Sequence, residues 1–228
     1  MPPGAQRSEA VVRSRPADRA LRRGRQIMKR FLPSALLVLL APDAALTHRL
    51  MDGALPATPW QGLLSGLAHP VIGLDHLAAL VAVGGVASLL PAGVPLALAF
   101  VIAGIAGVAL HLGAFTLPAA EPLVAISVLG LGLFAAFALR SIVPAAILFV
   151  VAGLTHGYAL AESIIGAEPA PLYAYLAGLA VIQAALAAAL TIAFRAIGAR
   201  LQSAFAARFA GGLAAVFGLA VLVRQLAA

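Results

Sequence analysis

The sequence predicts an all-α membrane protein, a polytopic transmembrane helix bundle of about six spans after an N-terminal signal sequence. Three observations predict it. Of the 228 residues 63% are hydrophobic and 10% charged, the mean hydropathy is +1.05, and apolar stretches long enough to cross a bilayer of ~30 Å recur along the chain. One soluble core does not hide that much apolar surface, so the chain belongs in lipid. Cysteine is absent, which excludes a disulfide framework and thiolate ligands and leaves imidazole and carboxylate for any metal chemistry.

Charge is unevenly placed. Nine of the fifteen Lys and Arg residues fall in the first thirty positions, among Pro, Ser and Ala without apolar periodicity. Residues 1–27 therefore read as a disordered basic extension. This tail accounts for much of the net charge of +7 without invoking nucleic acid as a partner. Met28-Lys29-Arg30 is itself a well-formed translation start. It opens a basic region followed by the apolar run FLPSALLVLLA and by Ala44 and Ala45, the layout of a secretory signal peptide over 28–45. The segment lacks a clean A-x-A site, so an uncleaved signal anchor is the competing reading. Cleavage after Ala45 exposes Leu46-Thr47-His48, a set of nitrogens suited to tetragonal Ni(II).

Residues 46–228 form the expected membrane domain, with spans at 61–90, 94–117, 121–139, 142–165, 171–194 and 209–226. Pro91 and Gly93, Pro118 and Pro122, Arg140 and Ser141, Pro169 and Pro171, and the polar stretch 195–208 separate them. Arg140, Arg195, Arg200 and Arg208 fall on one side, and Asp52, Glu121, Glu162 and Glu168 gather toward the other. The Arg side is the expected cytoplasmic face, which puts the mature N-terminus in the periplasm. Arg224 is the discordant charge. Glycines such as Gly104, Gly107, Gly130, Gly132, Gly211 and Gly212 permit close helix contact. No convincing internal repeat is present.

The informative segment is SGLAHPVIGLDHLAALVAVGG at 65–85. Ionisable groups at bilayer depth are costly unless they face a partner or water, so His69, Asp75 and His76 within eight residues point to function over a polar knot between helices. In a regular helix His69 and His76 share a face but stand ~10 Å apart, too far for one ion. Pro70 removes a backbone donor and Gly73 loosens the next turn, and a break there brings other geometries within reach. Asp75 is placed to ligate directly or to orient an imidazole.

A second cluster in the fourth span, LTHGYALAESI, supplies His156, Tyr158 and Glu162. Its depth matches that of His69 on the expected topology. His111, Glu121 and His48 also lie toward the outer side as weaker candidates. Taken singly, His111 reads as a hydrogen-bonder within the bundle, Glu121 as a charge favouring a helix N-terminus, and His48 as a solvated tail residue. Imidazole with carboxylate is the ligand set of Ni, Co and Zn. No P-loop is present, so the chain does not hydrolyse ATP by that motif.

HPVIGLDH resembles the H-x5-D-H signature in the first span of the HupE/UreJ family of nickel and cobalt permeases. EPLVAISVLGLGL from Glu121 resembles that family's third span, and HGYALAE resembles its HG-x-AHG-x-E segment. The likeness covers essentially the mature chain. It implies metal-related roles for His69, Asp75 and His76, with His156 and Glu162 contributing. It also implies uptake of Ni2+ or Co2+ across the bacterial inner membrane, with hydrogenase, urease or cobalamin maturation systems as the metal's destination. No resident cofactor and no enzymatic activity are expected. Leu160 and Ala161 stand where the family commonly has a second His and then Gly, which removes an imidazole one turn from His156.

The leading expectation is a secondary permease driven by membrane potential or a proton gradient. An intramembrane metal-dependent enzyme is a weaker alternative, because no H-E-x-x-H helix is present. A structural accessory subunit is the third reading.

Overall fold

The computed structural model describes residues 54–227. The basic extension, the signal peptide, Asp52, and His48 with its N-terminal nitrogen set lie outside the described residues. Seven helices follow: α1 Pro59–Ile72, α2 Leu74–Ser88, α3 Gly93–Leu112, α4 Ala120–Ala136, α5 Ile142–Ala161, α6 Pro169–Leu201 and α7 Phe205–Ala227. No strand occurs among the described residues. The fold is the expected all-α bundle, with two differences in how the spans are built.

The first expected span is two helices. Thr58 starts α1 with a capping box, its hydroxyl accepting from Gln61 N–H and Gln61 Oε1 accepting from Thr58 N–H. Pro70 lies inside α1 and contributes no N–H, and the helix stops two residues later at Ile72. Gly73 is extended at φ −68° and ψ 104°, its N–H closing on the His69 carbonyl and its carbonyl opening α2 through Leu77 N–H. The two helices meet at 71°. Each is only about 20 Å long, so α1 and α2 make one broken span or a re-entrant pair.

The second difference is the length of α6. The polar stretch from Arg195 was expected to break the chain, yet α6 runs through Arg195 and Arg200 to Leu201. Arg and Ala are good helix formers, and charge alone ends residence in hydrocarbon, not the helix. The break is confined to the residues around Gln202, which takes a left-handed φ of 48°. Helices α3, α5, α6 and α7 are each long and apolar enough to cross a membrane, and α4, with 17 residues, is shorter. Large apolar side chains such as Ile102, Phe137, Val143 and Val181 remain exposed on the outside, as lipid contact requires.

Packing follows from small residues. Helix α1 lies along α6, α3 along α5, and α4 along α7, while α2 touches every other described helix. Its Ala79, Ala82, Val83, Val86 and Ala87 are fully buried. The closest approach joins α3 to α5, where a Cβ on Gly157 runs into the carbonyl of Gly104. Only glycine allows the backbones to meet there, and the contact fixes the rotation of α5 one residue from His156.

Candidate metal path

The break at Gly73 decides where the first imidazoles go. His69 closes α1 and His76 opens α2, and the 71° turn brings their ring centroids to 5.7 Å, about half the spacing of a straight helix. His156, on α5, stands on the other side of His76 with ring centroids 5.2 Å apart. All three rings are buried, at 6%, 4% and 1% exposure respectively. The chain thus assembles a row of three imidazoles from three helices, at the N-terminal end of the central helix.

Hydroxyl groups flank the two outer rings of the row, His156 and His69. Ser127 Oγ gives its hydrogen to the Val124 carbonyl at 2.8 Å, so its 3.0 Å contact with His156 Nε2 has the ring as donor. That puts the His156 lone pair on Nδ1, which lies 2.9 Å from His76 Nδ1. His76 then supplies the hydrogen between the two rings. At His69, Tyr175 OH and Ser163 Oγ both donate to the Leu160 carbonyl, at 3.0 and 2.9 Å. Both hydroxyls also sit beside His69 Nδ1, at 3.3 and 3.2 Å, and Ser163 Oγ is 3.2 Å from Tyr175 OH, so the ring edge closes a small hydroxyl network. Hydroxyl partners on one nitrogen orient the ring and leave Nε2 facing away from them, as second-shell partners do for metal-binding histidines.

Asp75 is in the first turn of α2, where a carboxyl group complements the helix N-terminus. Its Oδ2 is 3.7 Å from His76 Nε2, within ion-pair reach and beyond a direct hydrogen bond. Among the described residues no three His, Asp or Glu side chains converge tightly enough to hold one ion. The arrangement is a series of paired side chains, not a closed cage.

The other sequence candidates lie apart from this row. Glu162 caps the C-terminus of α5 and is exposed, and Glu121 is exposed in the first turn of α4. His111 donates from Nδ1 to the Tyr158 carbonyl at 2.7 Å and stacks on the Tyr158 ring at 3.9 Å. Tyr158 OH in turn donates to Phe115 O and accepts from Leu117 N–H, which ties down the loop after α3. Leu160 is buried with Val108, Ile164, Tyr175 and Leu179. Its side chain fills an apolar cluster beside Tyr175, and its carbonyl receives the two hydroxyls that orient His69.

Sequence reasoning missed Ser127, Ser163 and Tyr175. Their signal was weak but present: hydroxyls inside apolar runs, which need partners in hydrocarbon.

The model of the family described as HupE / UreJ protein matches residues 36–221. The chain belongs to the HupE/UreJ family. It is 37% identical over 174 residues to a curated relative named Protein HupE from Rhizobium leguminosarum bv. viciae, covering 71% of this chain and 85% of the relative. No solved structure matches. The family assignment spans the helix break and all three imidazoles, so the row of His69, His76 and His156 is part of the matched HupE/UreJ region.

Proposed function

We propose that the protein is a secondary permease that brings Ni2+ or Co2+ across the bacterial inner membrane to metalloenzyme maturation systems. The observation that carries this reading is the row of three buried imidazoles across a broken helix. The carboxylates Glu121, Glu162 and Glu168 attract the cation at one end of the bundle, and His69 and then the His76–His156 pair pass it inward. The Nδ1 separation of 2.9 Å is close to the ~3 Å between adjacent ligands of a six-coordinate ion with metal–nitrogen bonds of ~2.1 Å, and the ion takes the place of the shared hydrogen, which His76 then carries on Nε2, beside Asp75. Stations of two nitrogens bind weakly enough to release, which conduction needs. The Arg end faces the cytoplasm in this scheme, and membrane potential draws the cation toward it.

One observation favours a second reading. The nitrogens of His156 both have protein partners, as a purely structural polar knot between helices also requires. Uptake of a series of divalent metals by cells lacking other importers separates the two. Transport predicts accumulation of Ni2+ or Co2+ above vector controls and its loss in Asp75→Asn at equal membrane abundance. A structural knot predicts that Asp75→Asn lowers folded yield and leaves accumulation per folded molecule unchanged.

A further inference from the structure

At the end of the bundle away from the imidazoles, a cavity of about 460 Å³ opens between the ends of α2 and α6 and the start of α7. Its polar lining is cationic or neutral: the guanidinium groups of Arg140 and Arg195, the hydroxyls of Ser88 and Ser203, and the amide of Gln202. The carboxyl groups of the described residues, Asp75, Glu121, Glu162 and Glu168, are all at the opposite helix ends. Arg208 adds positive charge nearby, its Nε donating to the Ala136 carbonyl at 3.0 Å.

The donors in this cavity are only partly committed. Arg195 uses Nη2 on the carbonyls of Leu90 at 2.6 Å and Ala87 at 3.4 Å, one of its three nitrogens. Those carbonyls end the central helix, so the same contact fixes the guanidinium plane. Ser203 Oγ accepts from Phe205 N–H at 3.1 Å, which leaves its own hydrogen for another acceptor. Leu89 and Phe194 complete the lining with apolar surface.

We propose that this cavity binds a phosphate-bearing anion, held by Arg140 and Arg195 with Ser203 as a further donor. A planar guanidinium matches phosphate oxygens with paired N–H groups. Basic pockets between spanning helices are suited to anionic headgroups, and Leu89 and Phe194 give acyl chains a surface that a free ion does not need. The site does not depend on the transport reading, because it shares no residue with the imidazole row.

The test uses purified full-length protein in detergent, with thermal unfolding and native mass spectrometry as readouts. The probes are phosphatidylglycerol, phosphatidylcholine and inorganic phosphate. Phosphatidylglycerol is expected to raise the unfolding midpoint and to appear as a bound adduct, with phosphatidylcholine doing neither. Arg140→Gln, at an exposed position outside the helices, is expected to weaken that binding roughly fivefold, the worth of one basic residue at an anionic surface. Its lipid-free midpoint stays that of the wild type. Arg195→Lys keeps the charge but not the paired N–H groups, and is expected to retain the binding only in part. Protection by millimolar inorganic phosphate alone supports the phosphate chemistry and identifies the source as soluble. Equal responses to the two lipids, or an Arg140→Gln protein that binds like the wild type, overturns the proposal.

Discussion

The two ends of the central helix handle polarity in opposite ways. At its N-terminal end, His76 meets His69 and His156 within the bundle, and side chains are satisfied largely by other side chains. At its C-terminal end, Arg195 reaches back from α6 to the backbone carbonyls of Ala87 and Leu90. The first arrangement buries imidazoles, whose nitrogens can take up protons or metals. The second places a permanent cation at the periphery, where it finishes a helix. Nitrogen lone pairs and the carboxylates of the described residues belong to one end, and Arg140, Arg195, Arg200 and Arg208 to the other, with Arg224 in the last turn of α7 as the exception.

The largest effect expected from breaking this comparison is at the contact that sets the rotation of α5 beside His156. Gly157→Val forces a side chain into the Gly104 carbonyl and costs about 3 kcal/mol or more, the upper range for overpacking. Folded yield in membranes, read by fluorescence-detected size-exclusion chromatography, should collapse. Arg195→Met removes the charge-assisted cap from α2 while keeping an apolar stem. Because the guanidinium is partly solvated, the expected loss is about 1 kcal/mol, seen as a lower unfolding midpoint. Metal accumulation per folded molecule should stay within twofold of wild type. The smallest effect is at the opposite end: Ser127→Ala takes the acceptor from His156 Nε2 and releases the ring's orientation. Stability should fall by about 1 kcal/mol, and the metal concentration for half-maximal uptake should shift several-fold with little change in maximal rate.

Much of this architecture was legible in the sequence because lipid imposes strict demands on it. Apolar runs of span length had to become helices, and Pro70 with Gly73 marked the one break that matters to the site. The extension of α6 through Arg195 and Arg200 was not legible, since Arg is as compatible with helix as with a loop and only the neighbours decide. The row itself was half legible. His69, Asp75 and His76 stood together in the chain, but the pairing of His76 with His156 depends on how Gly104 and Gly157 set the rotation of α5. No local pattern encodes that. Glu162 shared a motif with His156, yet it sits past the last turn of α5 and faces outward. Ser127, Ser163 and Tyr175 come from three separate segments and acquire their roles only through the carbonyls of Val124 and Leu160.

The central claim is that the His76–His156 pair is a station for a transported cation. Its most direct test is accumulation of radioactive nickel and cobalt in cells lacking other importers, comparing wild type with His76→Ala and His156→Ala at matched membrane abundance. The account predicts that each variant falls to the vector level, at least tenfold below wild type. Accumulation above half of wild type in either variant contradicts it.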